Sequence, residues 1–375
     1  MSDNIYVNLS INNSTSGGNV LTSQPAKVSI SYEQPLLQKA SDYYLSVVKF
    51  ELPLQSLPLF VFPIVPNQAN PNLSTMVVGV CENEATPGVP ITTLQFSQTV
   101  IWETQSWNTQ VPVQNQSYFV YTSYYDCYAY SHFVYLVNKA LLAAWTAAGS
   151  PGGANQQPYF YYDNSTTTIN LVYPYDFVNA ASTTGTGWKV FINDAASYYF
   201  QAFDYEINNG RFEIATHSLA TDYSYVAPSP WPQGTGPNTA GSTYICKAEY
   251  PSNDYINSIR KVVFVTNGLP IQKEYFPSPN TNQGGISYLG VLSDFNLDLN
   301  NKAGAQRSVA LYEANIYRLV DLLSTGPLRN IDLAVYWADR LGFIYPLNIG
   351  TQDLVSIKLG FFSKALYNND GTLKR

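Results

Sequence analysis

A mainly β chain, built as a single eight-stranded jelly roll with an inserted β-rich domain carrying one helix, is what three features of the sequence predict. Apolar residues alternate with polar ones in segments toward both ends of the chain. One run of helical periodicity stands in the middle. The charge balance of that middle differs from the balance of the ends.

Taken in order, residues 8–19 are rich in Asn, Ser and Gly and read as a flexible arm or an edge segment. In 27–32, Val28, Ile30 and Tyr32 alternate with polar residues, the period of a sheet with one buried face. Residues 43–52 are more continuously apolar and end at Pro53, as an inner strand does. The stretch 54–71 carries Pro58, Pro63, Pro66 and Pro71. Proline lacks the N–H that a helix or a central strand needs, so this stretch is an extended excursion. Residues 75–81 read as a third strand before the middle begins.

In the middle, Tyr130, Phe133, Val134, Val137, Leu141 and Trp145 recur at helical spacing over 130–148, and Gly149 and Pro151 stop the helix. Short strands follow at 159–162, 168–173, 188–192 and 211–214. Pro228, Pro230, Pro232 and Pro237 among Gly and Ser make 227–242 an exposed, low-complexity connection. Beyond residue 255, strand patterns return at 259–266, 288–299, 308–322, 330–337 and 355–361. Ile331, Leu333, Val335 and Trp337 share one face, as do Val355, Ile357, Leu359 and Phe361, and both sets are expected in the core. Three strands before the middle and five after it make eight. The expected organisation is a split jelly roll, 1–83 with 256–375, and an outward-facing insertion, 84–255.

Composition narrows the function. Of 375 residues, 45% are hydrophobic, enough for full-sized cores, and 15% are aromatic, with 31 Tyr. Only 12% are charged, against about 25% in an ordinary soluble domain. A large charge-poor area suits contact with neighbouring subunits. The net charge of −7 is unevenly spread: 84–255 holds 4 basic and 12 acidic residues, a balance of −8, and the remainder balances at +1. No basic patch marks a strong nucleic-acid site. The start of the chain lacks the basic and apolar regions of a secretory signal, and residues 133–148 are too short and too polar for a membrane span. Cys81, Cys127 and Cys246 are an odd, widely spaced set without a CxxC pair, which fits reduced, buried thiols.

Catalysis needs convergent groups, and the sequence offers few. His132 falls in the helix pattern, and His217 stands beside Ser218 without a GxSxG elbow. Zinc-ligand pairs, phosphate-binding glycine loops and a complete calcium loop are all missing, since Leu299 and Ala305 occupy the EF-hand positions that need Gly and Glu after Asp294. No cofactor and no metal are expected. Two carboxylates serving a glycosidase follow no spacing rule, so that reading stays open. A glycan-binding module stays open too, because jelly rolls with Trp and Tyr suit sugar stacking.

The C-terminal third carries a resemblance. Residues 307–312 (RSVALY), 317–324 (YRLVDLLS), 327–332 (PLRNID), Tyr336-Trp337 and 356–361 (SIKLGF) follow one another closely. The run resembles the penton (minor capsid) proteins of virophages and Polinton-like viruses. Residues 130–141 and the stretch from 191–193 to Phe203 are similar to the family's middle region. The resemblance implies a non-enzymatic virion protein, a single jelly roll at the capsid base with an insertion rising outward. Its implied partners are itself, as a homopentamer at each fivefold vertex, the neighbouring major capsid protein and a host surface met by the insertion. Synthesis and assembly in the host cytoplasm are implied with it. The candidate subunit interface is the apolar part of the Pro-rich excursion, Leu57, Leu59, Phe60, Phe62 and Ile64, with the loop 272–285 beside it. The competing account is that the excursion folds back over its own sheet.

Overall fold

The computed structural model describes residues 4–12, 23–53, 57–65, 69–70, 72–83, 94–104, 126–127, 129–153, 156–163, 165–181, 187–208, 210–215, 219–220, 243–252, 259–277, 286–296, 309–313, 318–339, 342, 344–350 and 353–366. The first strands are β1 (Ile5–Asn12), β2 (Ser23–Pro25), β3 (Lys27–Ser31) and β4 (Tyr43–Pro53). The middle contains β5 (Phe60–Val61), β6 (Leu73–Glu82), β7 (Gln95–Ile101), β8 (Asp126–Cys127), α1 (Tyr130–Ala147), β9 (Tyr159–Asp163), β10 (Thr168–Pro174), α2 (Tyr175–Val178), β11 (Trp188–Ile192), α3 (Asp194–Ser197), β12 (Tyr205–Asn208), β13 (Arg211–Ile214), β14 (Leu219–Ala220) and β15 (Thr243–Cys246). The last third supplies β16 (Ile259–Thr266), β17 (Glu274–Pro277), β18 (Ile286–Asn296), β19 (Val309–Glu313), β20 (Val320–Asp321), β21 (Asn330–Asp339), β22 (Ile344–Pro346), β23 (Asn348–Gly350) and β24 (Leu354–Ser363).

Two of the sheets these strands make pack face to face, with eight strands forming their frame. One has the order β1-β24-β4-β19; the other has β3 and β22 on one edge of β21, followed by β16, β18 and β17. Numbered along the chain, with β1, β3, β4, β16, β18, β19, β21 and β24 as first to eighth, the sheets read first–eighth–third–sixth and second–seventh–fourth–fifth. That order is the jelly roll, so the fold class follows from the pairing itself. Its core forms because each strand turns alternate residues inward. Ile331, Leu333, Val335, Trp337, Val355, Ile357, Leu359 and Phe361 are all buried there, as their spacing requires. Phe50 of β4 meets Phe264 and Phe295 of the opposite sheet, with ring centroids 5.0 and 4.9 Å apart.

The middle has its own core. Its members run from Phe62 to Cys246, while those of the jelly-roll core fall within 7–57 and 259–361. Two sheets, β12-β13-β11-β6-β7 and β14-β15-β10-β9, enclose α1, which packs on β6 and β7 from one side and β9 from the other. Helix α1 therefore buries residues around much of its circumference, including Phe133, Leu136, Val137, Leu141 and Trp145. It ends as the sequence signals: Gly149 takes φ +81°, and its N–H bonds to the Thr146 carbonyl at 3.0 Å.

Two sequence assignments change. The jelly roll starts at β1, in the stretch read as an arm or edge segment: Val7, Leu9 and Ile11 point inward and β1 pairs along its whole length with β24, at the sheet's edge. Conversely, 75–81 lies in β6, which pairs with β7 and β11 of the middle body and not with the jelly roll. The change of core thus falls between Leu57 and Phe62, well before residue 84. A continuous apolar run such as Val77–Cys81 says that a strand is buried on both faces, and nothing about which body buries it.

Candidate assembly surface

The Pro-rich excursion runs from one core to the other. Leu57 is buried in the jelly-roll core, at 5% exposure. Phe62 and Ile64, at 1% and 8%, are buried in the core of the middle body, and Leu59 packs partly against it. Phe62 lies against Trp102 with ring centroids 5.1 Å apart. Phe60 pairs through its backbone with Cys127; its side chain is outside the described set. Ile64 bridges to Ser74. Leu57, Phe62 and Ile64 are thus covered within their own chain, which is neither the exposed contact expected of them nor a folding back over one sheet, since the excursion passes from one core to the other. The reason is that the excursion connects two cores and each takes its nearest apolar side chains.

Exposed aromatic and uncharged surface lies instead on two flanks of the sandwich. On one flank the edge strand β1 lies beside β3. Its outward residues are Tyr6, Asn8, Ser10 and Asn12, and the strand has no charged residue. Tyr6 is 49% exposed, with the Lys358 ammonium 4.9 Å from its ring centroid and Phe362 edge-on to it at 6.0 Å.

The opposite flank ends in β17, within the loop 272–285 expected at an interface; residues 278–285 are outside the described set. Tyr275 of β17 and Tyr288 of β18 are cross-strand partners with rings 4.6 Å apart. They are 72% and 52% exposed, and the Lys273 ammonium stands 5.8 Å from the Tyr288 ring. Leu323, 60% exposed, follows β20 and is tied to this flank by its N–H bond to the Pro270 carbonyl at 2.7 Å. Behind the tyrosines, Arg318 bridges Glu274 and Asp294, and Lys261 bonds Asp294 at 2.8 Å. Partial burial would raise the Asp294 carboxyl, but the Lys261 hydrogen bond and the charges of Lys261 and Arg318 outweigh it and hold the group below its usual value. Sequence reasoning placed Tyr275 in a loop, because a four-residue strand carries little periodicity, while Tyr288 stood at the start of the strand read at 288–299.

Two residues of the resembling stretches, Asp332 and Asn193, hold backbone in place rather than line a surface. The Asp332 carboxylate accepts from Thr266 Oγ1 and from the N–H groups of Asn267 and Gly268 at 2.7–2.8 Å, fixing the turn after β16. Asn193 accepts from the N–H groups of Val77 and Ala196 and donates to the Thr75 carbonyl, capping α3 while pinning it to β6.

Among the described residues, no group of three or more His, Cys, Asp or Glu side chains converges as a metal site. Cys81, Cys127 and Cys246 are buried and form no disulfide, and burial, reinforced by Glu213, pushes the Cys81 thiol up to about 12. His132 bonds the Glu103 carbonyl at 2.7 Å and meets Trp102 edge-on, and burial lowers its pKa. His217 lies outside the described residues. Trp102, Trp145, Trp188 and Trp337 are buried, so none of these four is a sugar-stacking platform; Trp107 and Trp231 lie outside the described residues. No helix among the described residues is long and apolar enough to cross a membrane.

Comparison with known proteins agrees with this arrangement. A family model described as Sputnik minor capsid protein V18/19 matches residues 5–364. Structural protein V19 of Sputnik virophage is 28% identical over 213 residues, 55% of this chain and 94% of its own length. In the cryo-EM structure of the Sputnik virophage at 3.5 Å, one chain is 26% identical and superposes with a TM-score of 0.74, covering 98% of this chain and 99% of that one. The mavirus penton protein shares the fold at 17% identity, with a TM-score of 0.62 over 96% of this chain and 100% of its own.

Proposed function

We propose, from the premise that this chain belongs to the Sputnik minor capsid protein V18/19 family, that it is the penton subunit of an icosahedral shell and that five copies close each vertex. The chain is a structural protein of a viral capsid and not an enzyme. The observation that carries the finer reading is the end-to-end correspondence with one chain of a virophage particle, through both the jelly roll and the middle body.

A closed ring needs heterologous contacts, in which one flank of each copy meets a different flank of the next. The β1 flank, whose strand has no charged residue, and the tyrosine flank at β17 are two such surfaces. Exposed aromatics on both, Tyr6 on one and Tyr275 with Tyr288 on the other, match the make-up of interface centres. The jelly roll then forms the base of the shell beside the major capsid protein, and the middle body rises outward, where its acidic surface can meet a host. We place production and assembly of the particle in the host cytoplasm.

The test is native mass spectrometry of the purified full chain beside a Tyr275→Ser, Tyr288→Ser variant. The expected parent species has five times the 41.7 kDa chain mass. The variant should stay folded, since both side chains are largely exposed, and should run as a monomer. A parent that is monomeric at every concentration contradicts the ring. A variant that still forms five-copy rings removes the tyrosine flank from the contact.

A further inference from the structure

The strand pairings divide the chain by how far each must reach. In the middle body every described pairing lies within 60–246. In the sheet holding β16, the pairings of β16 with β18 and β21, of β17 with β18 and of β21 with β22 all lie within 259–346; only β3 comes from before the middle. The sheet β1-β24-β4-β19 is different. Each of its pairings, including that of β20 with β4, joins a strand ending by Pro53 to one starting at Val309 or later.

Within that sheet β1 and β4 are not neighbours, because β24 lies between them, from Ile5↔Phe361 on one side to Ser363↔Tyr43 on the other. The N-terminal strands therefore have nothing to pair with in this sheet until the last third of the chain exists. Among the described strands, β1 pairs with β24 alone. β24 also supplies Val355, Ile357, Leu359 and Phe361, each fully buried, and the Ser363 N–H bonds Asn4 Oδ1 at 3.2 Å. Contacts of long sequence separation are reached late, since loop-closure entropy is lost before they form.

We infer that the sheet β1-β24-β4-β19 closes last and only once β24 has been made, so that the β1 flank is present only in copies that carry β24. Its consequence for the shell rests on the ring reading above: a chain truncated before β24 that folds its middle body offers neighbours no β1 flank and is left out of the ring. The folding order itself does not depend on that reading.

Pulse-labelling hydrogen exchange during refolding of the full chain tests the order. Amides of α1 and of β9, β10 and β11 should be protected first, and those of β1, β4 and β24 together and last, later by about tenfold or more in time. Protection of β1 and β24 with or before α1 overturns the inference. A full-length Leu359→Asp variant gives a second reading at equilibrium. Loss of protection in β1 and β4 with α1 and β10 still protected, and no ring, supports the inference. Loss throughout, α1 included, makes the molecule one cooperative unit and overturns it. A parent that shows the predicted order yet never forms rings overturns the assembly reading alone.

Discussion

Trp337 and Asp332 sit on the same strand, β21, and stabilise it by different means. Trp337 is 1% exposed and stacks on Tyr345 with ring centroids 4.3 Å apart. Trp337→Ala removes a large buried side chain and should cost about 3–5 kcal/mol in chemical denaturation; a variant as stable as the parent would contradict this packing. Asp332 acts through three hydrogen bonds to the turn 266–269, where a Cβ on Gly268 would stand only 2.6 Å from its Oδ1. Asp332→Ala should cost about 1–3 kcal/mol, and Gly268→Ala should also destabilise. His132 gives a pH dependence. Its folded pKa is lowered by burial from the usual 6.5, so the unfolded chain binds the proton more readily. The stability it contributes is therefore whole above about pH 6.5 and is lost as the pH falls below that value. Thermal melts between pH 7.5 and about pH 5 should show a decline that His132→Gln reduces; an unchanged slope would mean that the ring is not shielded as described.

Among the elements, β9 shows how a helix can finish a sheet. Asn138 of α1 donates to the Phe160 carbonyl at 2.7 Å and accepts from the Phe160 N–H at 2.8 Å, as a neighbouring strand would. Asn138→Leu should leave both groups of Phe160 unpaired and cost about 1–3 kcal/mol, with faster amide exchange centred on β9. Helix α1, the strands at 159–163, 168–174, 188–192 and 211–214 and the last strands of the jelly roll were legible because periodicity and stop signals agree there. The eight-strand total came out right through two opposite errors. β1, read as an arm or edge segment, was left out of the strand count because Asn8, Ser10 and Asn12 mask the strand period of Val7, Leu9 and Ile11. β6 was placed in the jelly roll because its apolar run reads alike in either body. Leu57, Phe62 and Ile64, expected at an exposed contact, are buried for a related reason. Local hydrophobicity says that a side chain avoids water, while only the three-dimensional fold says whether its own chain or another covers it.

At the scale of the whole molecule, two cores with separate memberships meet along the excursion that passes through Leu57, Leu59 and Phe62. Phe62 is packed inside the middle body, so Phe62→Ser should destabilise that body by about 3–5 kcal/mol, and copies that remain folded should assemble normally. The Tyr275→Ser, Tyr288→Ser pair should do the reverse, keeping stability and losing the ring. Together these variants separate folding from assembly, since one set of side chains is buried and the other exposed. The central claim concerns position in the shell, and imaging of assembled particles carrying an antibody-fragment label on the middle body tests it most directly. Density for the label in fivefold sets at the vertices, projecting outward, is the predicted result. Label distributed over the faces of the shell, or absent from the particles, would contradict it.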